Sequence, residues 1–222
     1  MKSSHAHPPE SLDRPLEYEP SEWPAQETYR LLTALVIPRP IAWISSLSAD
    51  GVRNIAPHSF FNAVATEPPH VMVSSTGVKD TVRNIRATGE FVLNIVTMEV
   101  LEDMVFTSTD FPADEDEFDW SGLTAVPSAQ VAPPRIGQAK AHLECVLVDE
   151  MTLGDATLVF GRVVHIHIDP GVWRNGRVDP MLLDPVCRLS GSGYASLGER
   201  FRLAIPKWED VADAGRRSPR PG

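Results

Sequence analysis

The sequence predicts a mainly β protein with short helices, arranged as an antiparallel barrel. Three observations carry this. Six short apolar or alternating segments run through residues 41–168. Two of the junctions between them carry glycine-bearing turn signals, which favour hairpins. The helix signals are short and few, which argues against a parallel sheet built from βαβ units.

Residues 1–26 hold Pro8, Pro9, Pro15, Pro20 and Pro24 and read as an irregular arm, packed through Tyr18 and Trp23. Residues 41–47 are the first strand, followed by Asp50-Gly51 and a second strand over 52–56. Glycine permits the positive φ that such a turn needs. After Pro57 the chain enters an aromatic loop, and residues 71–74 form a third strand. Asp80 is placed to cap a helix to about Ala87, with Val82 and Ile85 inward and Gly89 as its stop.

Residues 91–96 are a fourth strand. Thr97 is placed to cap a second helix to about Phe106, with Val100, Leu101, Met104 and Val105 at helical spacing. Residues 141–149 alternate, with Ala141, Leu143, Cys145 and Leu147 on one side. Residues 158–168 alternate too, with Leu158, Phe160, Val164, Ile166 and Ile168 sharing a face. Gly154-Asp155 between these two strands predicts antiparallel pairing. Residues 27–206 therefore read as one domain, and residues 207–222 as a loose tail rich in Arg, Pro and Gly at its end.

Composition narrows the function. The chain has 222 residues, 20 basic and 30 acidic, for a formal net charge of −10. An acidic chain is a poor nonspecific binder of nucleic acid or of an anionic membrane surface. No run approaches the ~18–20 apolar residues that cross a bilayer. Residues 1–9 lack the apolar core of a secretory signal. Two cysteines, Cys145 and Cys187, make no disulfide framework, so the expectation is a reduced, cytoplasmic protein. Asp110 to Asp119 concentrates negative charge, and the sequence leaves open whether it packs or stays solvated.

Several motifs are weak. Gly191-Ser192-Gly193-Tyr194 resembles the start of a dinucleotide loop but lacks the strand before it and the βαβ unit after it. His165 and His167 share a strand face, yet no adjacent motif supplies a third ligand, so no metal is expected. Cys145 reads as core. Cys187 beside Arg188 has a cation that lowers a thiol pKa, but a structural role is favoured.

One constellation is stronger. Residues 53–61 leave a strand at Pro57 and enter an aromatic loop. Ser74-Ser75-Thr76-Gly77 then precedes Lys79, Asp80 and Thr81 at a helix start. Hydroxyls, a lysine and free helix N–H groups at one place suit a phosphate monoester. The loop through Pro57, Ser59 and Phe60 offers polar backbone and a ring to a flat heterocycle.

The stretch Pro38-Arg39-Pro40-Ile41-Ala42-Trp43-Ile44-Ser45-Ser46 resembles the flavin reductase-like family. So do Asn54-Ile55-Ala56-Pro57, Ser59-Phe60-Phe61-Asn62, Lys79-Asp80-Thr81 with Asn84, Gly89-Glu90-Phe91-Val92-Leu93-Asn94, and Asp184-Pro185-Val186-Cys187-Arg188-Leu189. The resemblance spans about residues 27–206. It implies a Greek-key split barrel that binds FMN, as a homodimer with flavin near the subunit interface. By motif position, Ser45, Ser46, Asn54, Ala56, Pro57, Ser59 and Phe60 would line the isoalloxazine, and Ser74, Lys79 and Thr81 would hold the phosphate. Tyr194 would be a lid or a contact from the partner subunit.

One departure concerns the nicotinamide. Many family reductases carry Gly-Asp-His, four residues, then Gly-Glu-Val. Here Ala156 replaces the histidine and Arg162 the glutamate. Ala156, Arg162 and His165 are therefore the candidate substrate-side positions, with NADH or NADPH as donor. The activity implied is an NAD(P)H:flavin oxidoreductase acting on small molecules. Its reduced FMN would go to a flavin-dependent monooxygenase partner or be used on a bound acceptor, such as a nitroaromatic acid. A flavin-binding electron carrier without a nicotinamide site is the alternative. The cofactor carries such chemistry, so no catalytic side chain is expected.

Overall fold

The computed structural model describes residues 17–214. Seven strands form one antiparallel sheet: β1 (Ala42–Leu47), β2 (Arg53–His58), β3 (Phe61–Thr66), β4 (Pro69–Thr76), β5 (Glu90–Ile95), β6 (Ala141–Leu153) and β7 (Ala156–Ile168). Their spatial order is β2-β1-β5-β6-β7-β4-β3. Consecutive strands β2 and β3 thus lie on opposite edges of the sheet. Ser59 and Phe60 carry the chain across, and the Ser74 N–H donates to the Phe60 carbonyl at 2.8 Å. This is the seam of a Greek-key split barrel, the mainly β architecture expected from the sequence.

The hairpin turns fall where the glycines predict them. Gly51 has φ 84° between β1 and β2, and Gly154 has φ 60° between β6 and β7. The residues read as an aromatic loop after Pro57 include an extra strand, β3. It carries no apolar alternation because residues 62–66 are all exposed.

Two apolar clusters fill the two sides of β1. Ala42 and Ile44 face Val71, Val73, Val82, Ile85, Phe91, Leu93, Cys145 and Val159. Trp43 faces Ile55, Val100, Met104, Phe118, Ile136 and Val186, and its indole N–H donates to Thr107 Oγ1 at 2.8 Å. Burying each large side chain contributes about 1.5–3 kcal/mol. Gly161 is fixed by packing, since a Cβ there would lie 2.4 Å from Phe91 Cζ.

The alternating face expected for β7 is displaced. Thr157, Val159 and Gly161 are the buried positions, while Ile166 and Ile168 are exposed. Register shifts at Phe160/Gly161 and Val163/His165 interrupt the two-residue period.

Among the described residues there are six α-helices: α1 (Ala25–Leu35), α2 (Asp80–Thr88), α3 (Leu101–Phe106), α4 (Glu117–Ser121), α5 (Pro180–Leu183) and α6 (Trp208–Ala214). Helix α1 crosses the expected arm–domain boundary, and α6 lies in the expected tail. The parts of those expectations that concern residues 1–16 and 215–222 lie outside the described residues. Asp80 does not cap α2. Lys79 is the N-cap residue, and Asp80 pairs with Arg83 within the first turn. Thr97 does not cap either: a 3₁₀ turn, Met98–Val100, intervenes before α3, and the buried Thr97 hydroxyl has no partner. Gly89 stops α2 as expected, at φ 74°.

Candidate functional site

The seam between β2 and β4 opens into a cavity of about 340 Å³. Strand β2 supplies Asn54, Ala56, Pro57 and His58. The crossing link supplies Ser59 and Phe60, and β4 supplies Ser74, Ser75 and Thr76. Lys79, Asp80 and Thr81 enter from the start of α2, Tyr29 from α1, and Glu117 from α4.

One end is rich in donors. The N-cap of α2 makes no side-chain capping bond, so the first-turn N–H groups remain available. Lys79 is exposed at this rim. The Ser75 hydroxyl is buried without a partner. This arrangement accepts an anion with several oxygens, and a phosphate monoester fits it.

The other wall is fixed by a buried carboxylate. Glu117 is 5% exposed. It accepts from Asn54 Nδ2 at 2.5 Å and from the Ile55 N–H at 3.2 Å. Burial raises its pKa; bonds from the backbone and Asn54 oppose that rise, and Asp116 adds to it. Asn54 Oδ1 in turn accepts from Thr81 Oγ1 at 3.2 Å, linking both walls. His58 Nε2 lies 3.3 Å from Thr81 Oγ1. Burial and the Lys79 charge pull the His58 pKa down to about 4, so the ring is neutral at pH 7.

The structure brings Asn54, Ala56, Pro57, Ser59, Phe60, Ser74, Lys79 and Thr81 together around this cavity. It does not bring Ser45 or Ser46 to its surface. Both are fully buried, Ser45 bonded to the Pro134 carbonyl and Ser46 to Asn54 and Asn84. Ser46 supports the wall from behind through Asn54, whereas Ser45 faces the other side of β1, towards Pro134 and Asn94. Tyr194 lines a second, adjoining cavity.

Ala156, Arg162 and His165 lie on β7, away from both linings. Ala156 is the nearest, opposite Thr76 in register. The His165 ring lies tilted against that of His167, with centroids 4.5 Å apart. His167 Nε2 lies 2.5 Å from the buried carboxylate of Glu144, so this histidine is bonded into the protein.

Glu117, Tyr29 and residues 107–111 were not singled out by the sequence for this cavity. The acidic run is the missed signal. Asp116 caps α4, and Arg53 pairs with Asp116 at 2.5 Å and Asp119 at 2.7 Å. Cys145 is core, and burial pushes its thiol pKa upward, as it does for Cys187. No helix among the described residues is long and apolar enough to cross a membrane.

Comparison with known proteins agrees with this fold. Residues 34–183 match the flavin reductase like domain. A protein of Aquifex aeolicus is 40% identical over 196 residues, 86% of this chain and 100% of its own. The crystal structure of nitrilotriacetate monooxygenase component B from Bacillus cereus superposes with a TM-score of 0.84 at 36% identity, covering 86% of this chain and 100% of that one. That of the 2-nitrobenzoate 2-nitroreductase NbaA from Pseudomonas fluorescens gives 0.79 at 31% identity, covering 87% and 98%. The chain belongs to the flavin reductase-like family.

Proposed function

We propose that the chain is an FMN-dependent oxidoreductase that takes hydride from NADH or NADPH. The observation that carries this reading is the donor cluster of Ser74, Ser75, Thr76, Lys79 and the α2 N-terminus at one end of a seam cavity. That end suits the FMN phosphate. Pro57, Ser59 and Phe60 then offer backbone polar groups and an aromatic face to the isoalloxazine. FMN, when bound, supplies the two-electron chemistry. The protein supplies orientation and positive charge, and shelters the ring from water.

The similarity to a monooxygenase component B supports delivery of reduced flavin to a monooxygenase partner. The similarity to a nitroreductase supports the second reading, in which FMN is retained and used on a bound acceptor. A homodimer fits the exposed apolar side chains near the β6–β7 hairpin, Val148, Met151 and Leu153. In this reading, Arg162 and His165 contact a nicotinamide only across such an interface, because they lie outside the cavity of their own chain.

The test is a visible spectrum of the protein with FMN, followed anaerobically by each nucleotide. A perturbed flavin spectrum that bleaches with NADH or NADPH is expected. Bound flavin that neither nucleotide reduces favours a carrier, and no bound flavin overturns the reading. Lys79→Ala is expected to weaken FMN binding by about 1–3 kcal/mol, read by flavin fluorescence titration.

A further inference from the structure

The second cavity, about 310 Å³, shares Tyr29, Pro57, Ser59 and Ser108 with the first. Its charge is of opposite character. The first cavity has Asp80, Asp110 and Glu117 in its lining besides Lys79; the second has Arg39 and Arg188 and no carboxylate.

Arg39 is 7% exposed. Its Nη1 donates to the carbonyls of Thr33 at 2.7 Å and Val36 at 2.8 Å, and its Nη2 to that of Leu189 at 2.8 Å. Its buried Nε–H has no partner. Arg188 donates to the Tyr194 hydroxyl and the Gly191 carbonyl. Its guanidinium lies 4.6 Å from the Tyr194 ring centroid. Among the described residues neither arginine forms an ion pair, although the chain carries 30 acidic residues. A buried cation without a counter-charge is costly. Buried Arg39 and half-buried Arg188 at one cavity, in an acidic protein, mark a place where the negative charge comes from a ligand.

Guanidinium forks match carboxylates in geometry. Tyr29 and Tyr194 add ring surface. The volume lies at the small end of ligand pockets, roughly 300–1,000 Å³, and the two tyrosine rings suit a flat, ring-bearing acid.

We propose that this cavity is a carboxylate subsite for single-ring aromatic or unsaturated acids, with Arg39 Nε and the Arg188 guanidinium on the carboxylate and Tyr194 as its cover. Its position beside a flavin ring rests on the function proposed above. The anion site itself stands on the two arginines.

The test titrates the full chain by calorimetry, with and without FMN, using benzoate and its neutral amide, benzamide. Benzoate is expected to bind at least tenfold more tightly than benzamide. Arg188→Gln is expected to weaken benzoate about tenfold or more and leave benzamide unchanged, while Arg188→Lys recovers part of the loss. Circular dichroism checks that each variant folds; if Arg188→Gln does not, the comparison of the two probes on the unaltered chain decides. Equal affinity for both probes overturns the proposal, as does benzoate binding that ignores Arg188→Gln. A rise in the NADH KM of Arg188→Gln with benzoate unaffected also overturns it, and assigns the arginines to the dinucleotide. If the flavin reading alone is wrong, FMN leaves no spectral change while benzoate still binds the FMN-free chain.

Discussion

Two buried glutamates sit in different walls of the same barrel, and their charges are held differently. Glu117, at the cavity, accepts from Asn54 and from one strand N–H, that of Ile55. Glu144, on β6, is fully buried and accepts from the N–H groups of Ala129 at 2.7 Å and Gln130 at 2.6 Å, and from His167. Burial pushes both pKa values up. For Glu144 the two loop N–H groups and His167 outweigh it, and the pKa falls; for Glu117 burial prevails, and the pKa rises. The same residue type is thus held as a carboxylate in one wall and pushed towards its neutral form in the other, and the number of its donors decides which.

The largest expected effect comes at Glu144. Glu144→Ala leaves two loop N–H groups and His167 without their acceptor. Each stranded buried donor costs about 1–3 kcal/mol, so the losses at the Ala129 and Gln130 N–H groups combine, read as a drop in unfolding free energy in urea. FMN affinity is expected to hold, because Glu144 is outside the cavity lining. A loss below about 1 kcal/mol, the scale of an exposed pair, would mean that the loop does not depend on it.

Glu117→Ala is expected to cost less, about 1–3 kcal/mol, the penalty for stranding a buried donor. It differs in kind. Asn54 lines the cavity and is oriented by Glu117, so FMN binding weakens as well. Stability loss with unchanged FMN affinity would separate Asn54 from the cofactor.

Titration sharpens the contrast by sign. The Glu144 pKa lies below its ordinary 4.5 in the folded protein, so its contribution is present above that value and is lost as pH falls through the folded pKa. The Glu117 pKa lies above 4.5, so its contribution is present below 4.5 and is lost as pH rises through the folded pKa. The stability gap between wild type and Glu117→Gln should therefore widen on acidification from pH 7 towards 4.5. The gap for Glu144→Gln should stay flat over that range and close below it. Urea unfolding at successive pH values checks both slopes, and parallel slopes would erase the distinction.

Neither role was legible in the sequence. Glu117 ends a run of four acidic residues, which reads as a uniform charged segment. One of them turns inward only because Asp116 caps α4 and starts a helix there. Glu144 lies one residue before Cys145 on an alternating strand, and its position suggests the outward face. Loop residues 129 and 130 cover that face, a contact no local pattern encodes. What was legible shares a short range. The β1–β2 and β6–β7 hairpins, the α2 stop at Gly89 and the run from Ser74 to Thr81 all depend on neighbours in the chain. Ser45 and Ser46 show the limit of carrying roles over by motif. Alternation puts them on opposite faces of β1, and both faces are covered.

The smallest expected effect tests whether Glu117 is held in place from outside. Arg53 joins Asp116 and Asp119, and its guanidinium lies 5.2 Å from the Phe118 ring centroid. Its side chain is 31% exposed and that of Asp119 76%, so solvent screens the pairs. Arg53→Met keeps most of the aliphatic stem over Phe118 and is expected to cost about 1 kcal/mol or less. The cost should shrink further in high salt, while that of Glu144→Ala persists, because exposed pairs are screened and buried ones are not. If Arg53→Met instead weakens FMN binding as strongly as Glu117→Ala, the outer ion pairs, rather than the helix cap at Asp116, hold the carboxylate against Asn54.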